Sequence, residues 1–353
     1  MDIHQATRAY EAWLSEQTDV IRPHLRVKHK KMSESPFVFL RGTFYRWAQQ
    51  WPTVCKELLD APNVLAIGDL HLENFGTWRD LEGRLIWGVN DVDEACELPY
   101  THDLVRLATS VALAVEAAHL DLSIRAACEA ILEGYERTIA LGGRPLVLAE
   151  RRAWLRDIAL DKRRDPAPFW SKLQDLPTAT NGVPTRLLRS LLPDGATPTR
   201  TVLRTAGVGS LGRARFVMIA AWGGSWIARE VKAAVPSATA WVRRAAHATI
   251  QCEALLKRAV RVPDPFFAVR DGWVVRRLAP DCTRIELTDL PTRRDEWKLL
   301  RAMGQDTANL HLGTAKARIE ADLRRRPNQW LERAAKRMAR TVKEDWKAWT
   351  ARS

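Results

Sequence analysis

The sequence predicts an α+β protein built from two lobes, one mainly helical and one rich in β-strands. Three observations support this prediction. Apolar residues repeat mainly at helical spacing up to about residue 195, and the pattern then changes to the alternation typical of strands. Helical spacing returns after residue 290. Residues 1–195 and 291–353 are therefore expected to form the helical lobe, and residues 196–290 the β-rich lobe.

The composition indicates a globular protein with an anionic partner. The chain has 353 residues, of which 46% are hydrophobic and 27% are charged. No apolar run is long enough to span a bilayer and no signal peptide is evident, so no membrane partner is expected. The five cysteines are scattered without metal-type pairing, which favours a cytoplasmic location. The net charge of +13 favours nucleotide phosphates, nucleic acid or an acidic substrate.

The chain is expected to begin with helices. Apolar spacing predicts a helix over residues 2–16, and a basic segment follows it. A further helix is predicted after Thr43, its expected N-cap, because aromatic residues follow at helical spacing. Pro62 ends this helix, and residues 64–67 are predicted to form a short buried strand.

Two polar stretches then follow at the spacing of a phosphoryl-transfer site. Asp69 precedes Asn74 by five residues, and an apolar strand over 85–89 leads to Asp91. In such a site one Asp deprotonates a hydroxyl, while an Asn and a second Asp hold Mg²⁺ against the nucleotide phosphates. An intervening hairpin is expected to bring Asp91 beside Asn74. Asp93 could assist the metal or cap a turn, and the whole pattern could also be an ordinary Asp- and Asn-rich turn.

Helices are predicted again after this site. Asp103 precedes a long apolar helix over 105–120, where exposed backbone N–H groups stabilise a carboxylate. Another helix is predicted over 123–141, ending at two glycines. Residues 144–200 are rich in proline and are predicted to be irregular, apart from a basic helix over 146–158.

A glycine-rich turn leads into the predicted β-rich lobe. Gly207, Gly209 and Gly212, with Ser210, form a Gly-x-Gly-x-x-Gly pattern, which on its own is a weak signal shared with dinucleotide-binding folds. In those folds the glycines open a helix. Here they lead into a β-branched and aromatic run, which favours a hairpin lid over phosphates. A later strand ends near Lys232, which is expected to pair with the phosphates; the alternative is a solvent-facing lysine.

The remainder of the β-rich lobe is predicted to contain a helix and a hairpin. Residues 241–260 have helical spacing, and Glu253 on this helix is a candidate ion-pair partner for Lys232. Since surface helices normally carry carboxylates, Glu253 could instead be a solvated side chain. The pair Asp271-Gly272 predicts a tight hairpin turn, and two core-facing helices follow.

The order of these parts is the reverse of that in an ordinary kinase. There the glycine-rich loop and lysine precede the catalytic loop, whereas here Asp69 precedes Gly207 and Lys232. A circularly permuted, protein-kinase-like two-lobe fold reconciles this order, with the catalytic-loop lobe first and the glycine-rich-loop lobe later. Such permutations are tolerated where the chain ends lie close together at the surface.

Several sequence elements recur in the order of a known family. They are Lys31-Met32 with Ser35-Pro36-Phe37, Phe39-Leu40-Arg41-Gly42, Gly68-Asp69-x-His71-Leu72-x-Asn74-Phe75-Gly76, Asn90-Asp91-x-Asp93-Glu94, Gly207-Val208-Gly209-Ser210-x-Gly212 and Val231-Lys232-Ala233-Ala234. In these elements the chain resembles the uncharacterised bacterial domain-of-unknown-function 2252 family, which is grouped with protein-kinase-like folds. The resemblance extends over most of the chain and implies no particular substrate.

The first half is also similar to aminoglycoside and choline phosphotransferases, whose loop reads His-Gly-Asp-x-His-x-x-Asn. This resemblance implies a catalytic role for Asp69 and metal-binding roles for Asn74 and Asp91. It further implies that Asp103 braces the catalytic loop. The sequence departs from the phosphotransferase pattern at Ile67, where those enzymes have the first His.

Together these patterns predict an ATP- and Mg²⁺-dependent phosphotransferase acting on a small-molecule hydroxyl. Asp69 would be the base, and Lys232 would anchor the phosphates beneath the glycine-rich lid. The expected partners are the nucleotide and an unidentified acceptor, rather than nucleic acid. The alternatives are a catalytically weak pseudokinase that acts by binding nucleotide, and a transferase that moves AMP instead of phosphate.

Overall fold

The computed structural model describes residues 1–117, 120–148, 152–160, 165–282 and 296–352. Over these residues the protein is α+β, as predicted. The helices are α1 (Ile3–Gln17), α2 (Arg22–Met32), α3 (Pro36–Gly42), α4 (Phe44–Val54), α5 (Tyr100–Glu116), α6 (Ile124–Leu141), α7 (Ala153–Ala159), α8 (Pro166–Gln174), α9 (Thr185–Ser190), α10 (Ala238–Arg243), α11 (Cys252–Arg258), α12 (Glu296–Leu323) and α13 (Trp330–Thr350). The strands are β1 (Asn63–Ala66), β2 (Phe75–Arg79), β3 (Leu85–Val89), β4 (Cys96–Pro99), β5 (Leu146–Val147), β6 (Thr197–Leu203), β7 (Arg215–Trp222), β8 (Ser225–Ala233), β9 (Ala268–Arg270) and β10 (Trp273–Leu278).

The strands form three antiparallel sheets. The largest has the order β6-β7-β8-β10-β9, and the others pair β1 with β4 and join β2, β3 and β5. The predicted tight turn between β9 and β10 is confirmed, since Asp271 and Gly272 both have positive φ angles, of 51° and 79°. That conformation suits a two-residue hairpin turn and sets the register of the two strands.

The five-stranded sheet is covered on both faces, as its alternating side chains require. One face presents a cluster of apolar side chains that α8 covers with Leu173 and Phe169; the cluster consists of Val202, Val217, Ile219, Ala228 and Leu278. The opposite face is covered by Leu187 and Leu188 of α9. The sheet also carries the charged side chains of Arg215, Glu230 and Arg276, which line the cleft described below.

The main core lies among α5, α6, α12 and α13. Helix α5 is buried over nearly its whole length, and α6 and α12 approach each other so closely that their backbones touch. A β-carbon added to Gly134 would lie 1.9 Å from the carbonyl oxygen of Arg301, and one added to Gly304 would lie 2.0 Å from that of Ile131. The two glycines therefore make this crossing possible. None of the helices in the described ranges is long and apolar enough to cross a membrane.

Three local predictions are wrong. Thr43 does precede a helix, but its hydroxyl donates to the carbonyl of Phe39 at 2.7 Å instead of capping α4. Of the helix predicted over 146–158, the first two residues pair with β3 as strand β5, and α7 begins only at Ala153. The helix predicted over 241–260 is divided because Arg244 adopts a left-handed conformation that ends α10. In the last two cases a strand pairing or a left-handed backbone residue outweighs helical spacing.

The crossing of α6 and α12 gives a stability test. Gly134→Ala forces a methyl group onto the α12 backbone, so we expect it to lower the free energy of unfolding by about 2–3 kcal/mol. Arg137→Ala is the matched control, since it also places alanine on α6 but at an exposed position, and should change stability by less than about 0.5 kcal/mol. Urea unfolding measures both values. Equal stability of the two variants would contradict the close backbone contact.

Candidate functional site

A cleft of about 730 Å³ separates the five-stranded sheet from the loops that follow β1 and β3. It brings together residues from both predicted motifs. The predicted site residues that line it are Asp69, Asn74, Asp91, Asp93, Gly207, Gly209 and Ser210. Lys232 contacts two of these residues. Gly212, at the end of the glycine-rich loop, does not line the cleft; its carbonyl accepts the N–H of Ile21 at 2.8 Å.

Asp103 braces the loop that carries Asp69. Its carboxylate accepts hydrogen bonds from the backbone N–H groups of Ile67, at 2.7 Å, and Gly68, at 2.9 Å. His311 of α12 contacts the same carboxylate at 2.9 Å. Burial alone would raise the pKa of Asp103, but the adjacent imidazoles of His102 and His311 hold it below its ordinary value. Asp103 is therefore a buried carboxylate that positions the loop and not a helix cap.

Asn74 and the segment before Asp91 are adjacent, as the hairpin predicted. The side-chain oxygen of Asn74 accepts a hydrogen bond from the N–H of His71 at 2.7 Å, which closes the loop. The backbone carbonyl of Asn74 accepts from the N–H of Asn90 at 2.9 Å. The pairing of β2 with β3 produces this contact, because it places the start of one strand opposite the end of the other.

Asp69 lies at the floor of the cleft and is held by an arginine. The Nε of Arg106 donates to Oδ1 of Asp69 at 2.8 Å, and a second guanidinium nitrogen contacts the same oxygen. Burial raises the pKa of Asp69 to about 7; the charge of Arg106 opposes this shift, and the charges of Glu94 and Asp91 reinforce it. A carboxylate with a pKa close to neutral can both accept and return a proton, which is what general-base catalysis requires.

Lys232 is a buried cation and not a solvent-facing one. It is only 2% exposed, its ammonium group contacts the carboxylate of Asp93, and it lies 3.6 Å from Oδ1 of Asp91. Burial lowers the pKa of Lys232, while the two carboxylates oppose that shift. Burial would likewise raise the pKa of Asp91, but Lys232 and then Arg276 hold it below its ordinary value. Asp91 therefore remains ionised at neutral pH.

Glu253 does not pair with Lys232. Its carboxylate accepts a hydrogen bond from the backbone N–H of Val269 at 2.7 Å. Among the described residues, the ion pairs of Lys232 are formed with Asp91 and Asp93. The break in the predicted 241–260 helix explains the difference, since it places Glu253 in the first turn of the short helix α11.

The glycine-rich loop connects β6 to β7 and lies directly over Asp69. A β-carbon on Gly209 would be 3.0 Å from the carbonyl oxygen of Arg41 and 3.4 Å from Oδ2 of Asp69, so the loop can approach this closely only without a side chain there. The N–H groups of Ser210 and Leu211 donate to carbonyls within the loop. Two of the loop's backbone donors are therefore used within the loop itself.

Sequence reasoning missed the arginines of the cleft. Arg213 lies 2.9 Å from the carboxylate of Glu94 and 3.7 Å from that of Asp93. Arg276 approaches Asp91 at 3.9 Å. For Arg106 a signal was present: a charged residue three positions after Asp103 in an otherwise apolar helix lies on the same helix face and needs a buried partner.

The acidic side chains of the cleft fit a magnesium ion. Oδ1 of Asp93 is buried and has no hydrogen-bond partner among the described residues, while the side chain of Asp91 is 43% exposed. No group of three His, Cys, Asp or Glu side chains suited to a metal occurs in the described ranges. Mg²⁺ is usually held by one or two carboxylates together with water and substrate phosphates, so two carboxylates suffice.

The raised pKa of Asp69 can be tested directly. We expect the carboxyl carbon of Asp69 to titrate with a midpoint near pH 7 in a ¹³C NMR titration, with Asp69→Asn providing the assignment. In Arg106→Gln the midpoint should move to higher pH, because the cation that favours the ionised form has been removed. A midpoint near the ordinary value of 3.8 would contradict the burial of this group.

Comparison with known proteins finds similarity in the first half of the chain. Residues 21–163 match a family described as "Uncharacterized protein conserved in bacteria (DUF2252)". No curated protein and no solved structure matched the chain. The matched stretch includes Asp69, Asn74, Asp91 and Asp93, and it stops before the glycine-rich loop. The chain is therefore similar to this uncharacterised bacterial family over the stretch that supplies Asp69, Asn74, Asp91 and Asp93 to the cleft.

Proposed function

We propose that this protein is an ATP- and Mg²⁺-dependent phosphotransferase that transfers the γ-phosphate to a hydroxyl of a small-molecule acceptor. One observation carries the proposal. Asp91 and Asp93 meet Lys232, from a strand far along the chain, at the cleft that also contains Asp69 and Gly209. The residue types and their separation along the sequence match a phosphoryl-transfer site, in which catalysis depends on positioning and charge stabilisation.

The cationic wall of the cleft, which consists of Lys232, Arg215 and Arg276, would bind the phosphates. Lys232 lies on the third strand of the five-stranded sheet in chain order, which is also the position of the phosphate-binding lysine in protein kinases. Arg215 of β7 is the direct cross-strand partner of Lys232, and Arg276 lies on β10, the strand on the other side of β8. Lys232, Arg215 and Arg276 would neutralise the charge of the phosphates. The phosphates would in turn replace the present contacts of Lys232 with Asp91 and Asp93.

The acidic wall of the cleft, which consists of Asp69, Asp91 and Asp93, would bind the metal and supply the general base. Asp91 and Asp93, with Asn74 beside them, would bind Mg²⁺, which when bound neutralises charge on the phosphate oxygens. Oδ2 of Asp69 would accept the proton of the acceptor hydroxyl, while Arg106 holds Oδ1 and so fixes the direction of the carboxylate. The two carboxylate oxygens of Asp69 would therefore have different roles, Oδ1 in orientation and Oδ2 in proton transfer.

Thermal unfolding with nucleotide and metal tests this assignment. ATP with Mg²⁺ at about a hundred times its dissociation constant should stabilise the protein by about 2.7 kcal/mol. Asp91→Asn should abolish the Mg²⁺-dependent part of that stabilisation, because it removes a charged metal ligand. Asp271→Asn, the same change in an exposed hairpin turn, should leave it intact. An unchanged metal response in Asp91→Asn would remove Asp91 from its proposed role.

A nucleotide-binding module with little turnover is the second candidate, and two contacts favour it. Arg106 already occupies Oδ1 of Asp69, and the backbone at Gly209 lies close to Oδ2, so an acceptor needs the glycine-rich loop to move. A pseudokinase would retain this closed arrangement while binding nucleotide between the lobes. Transfer of AMP would use the same residues with the nucleotide in another orientation.

Analysis of nucleotide products separates these candidates. In slow hydrolysis, with water in place of the acceptor, a phosphotransferase releases ADP, whereas a transferase of AMP releases pyrophosphate and AMP. We expect ADP, and we expect Asp69→Asn to reduce its formation about a hundredfold or more, as loss of a general base does. Chromatography of the reaction measures both products. Tight binding of ATP without either product would favour the pseudokinase.

A further inference from the structure

A second cavity, which we call the back cavity, lies beside the cleft and shares Arg276 with the wall proposed to bind the phosphates. Its volume is about 460 Å³, a size typical of small-molecule pockets. Helix α11, strands β2 and β10, and the segment between α11 and β9 form its walls. Asn90, Arg276, Arg277 and Cys282 line both cavities, which are therefore adjacent. Of the described residues that line the back cavity, none belongs to the loop of Asp69 or to the glycine-rich loop.

Much of the wall of the back cavity is apolar. Trp78 and Phe267 contribute aromatic rings, and Val92 and Leu256 contribute aliphatic side chains. Trp78 is held in place, because its indole N–H donates to the carbonyl of Val262 at 3.2 Å. An apolar body of moderate size could therefore fill the cavity and release water from these surfaces.

Two arginines present unused hydrogen-bond donors at the shared wall. Nε and Nη2 of Arg276 and Nε of Arg277 are buried and have no hydrogen-bond partner among the described residues. Native proteins rarely leave buried donors unpaired, since each unpaired group is costly. The nearest carboxylate, that of Asp91, is 3.9 Å from Nη2 of Arg276 and leaves the other two donors unmet. An anion at this wall would satisfy them.

The charge balance of the back cavity also favours an anion. Among the described residues that line it, the charged side chains are four cations and two carboxylates: Lys257, Arg261, Arg276, Arg277, Glu253 and Asp264. Both carboxylates already accept backbone N–H groups, from Val269 and Phe266 respectively. Two of the cations are partly engaged as well, since Arg261 donates to the carbonyl of Val89 and Arg277 to that of Arg79. The described lining still carries an excess of positive charge, which favours an anionic ligand.

We propose that the back cavity binds a small organic anion, with an apolar or aromatic body against Trp78 and Phe267 and one anionic group on Arg276 and Arg277. Because Arg276 also reaches Asp91 in the cleft, an anion that draws it away changes the charge beside the proposed metal site. Occupancy of the back cavity and of the cleft is therefore coupled, and the coupling is reciprocal.

A matched pair of fluorescent probes tests this proposal without any enzymatic activity. The probes are 1-anilinonaphthalene-8-sulfonate and its uncharged counterpart, N-phenyl-1-naphthylamine. We expect the sulfonate to bind the native protein at one saturable site and about tenfold or more tighter than the neutral probe, since a charge-assisted pair with arginine is made only by the anion. Absence of saturable binding, or equal affinity for the two probes, would overturn the proposal.

Two charge reversals on α11 locate the site. Lys257 lines the back cavity and not the cleft, whereas the next residue, Arg258, lines neither, and both are exposed. We expect Lys257→Glu to weaken sulfonate binding about fivefold or more and Arg258→Glu by less than about twofold, because only the first places a negative charge at the cavity. Equal weakening by both would show a general charge effect and overturn the assignment. The proposal would also be overturned if Lys257→Glu did not weaken binding and ATP with Mg²⁺ displaced the probe from the Arg258→Glu variant. Those two results together would place the probe in the cleft.

Discussion

The structure depends on a buried set of ion pairs that joins the segment after β3 to the end of the glycine-rich loop and to strand β8. Lys232 and Arg213 are cations almost without solvent contact, and the carboxylates of Asp93 and Glu94 lie against them. A buried charge that loses its partner costs about 3–5 kcal/mol, so each side of this set requires the other. These ion pairs hold together segments that are more than a hundred residues apart in the sequence. The cleft lies between those segments.

The same ion pairs position the glycine-rich loop. Arg213 directly follows Gly212, so its contact with Glu94 draws the end of the loop down toward the loop of Asp69. The second oxygen of Glu94 accepts the backbone N–H of Ala238 at 2.7 Å, which ties the start of α10 to the same carboxylate. From the other side, the buried ammonium of Lys28 reaches the carbonyl of Gly209 at 3.4 Å. Charged side chains on both sides therefore hold the loop in the close position that Gly209 permits.

Burial acts on two neighbouring carboxylates with opposite outcomes. For Asp69 desolvation outweighs the single cation Arg106, and the pKa rises to about 7. For Asp91 the cations Lys232 and Arg276 outweigh desolvation, and the pKa falls. A pair of carboxylates whose pKa values are moved apart is suited to different tasks, one as a proton acceptor and one as a permanent anion. The difference comes from the number of cations that each carboxylate faces, which is a property of the surrounding fold.

Local chemistry in the sequence was sufficient to predict the hairpin that brings Asn74 and Asp91 together, the turn at Asp271-Gly272 and the α+β class, because each depends on residues close together in the chain. The partners of Lys232 were not predictable in this way. A kinase-like template suggested Glu253, whereas the folded chain supplies Asp91 and Asp93, since the left-handed residue Arg244 breaks the helix that was to present Glu253. Which buried charges face one another depends on contacts between distant segments, because the desolvation cost of a buried charge is offset only where the folded chain brings an opposite charge beside it.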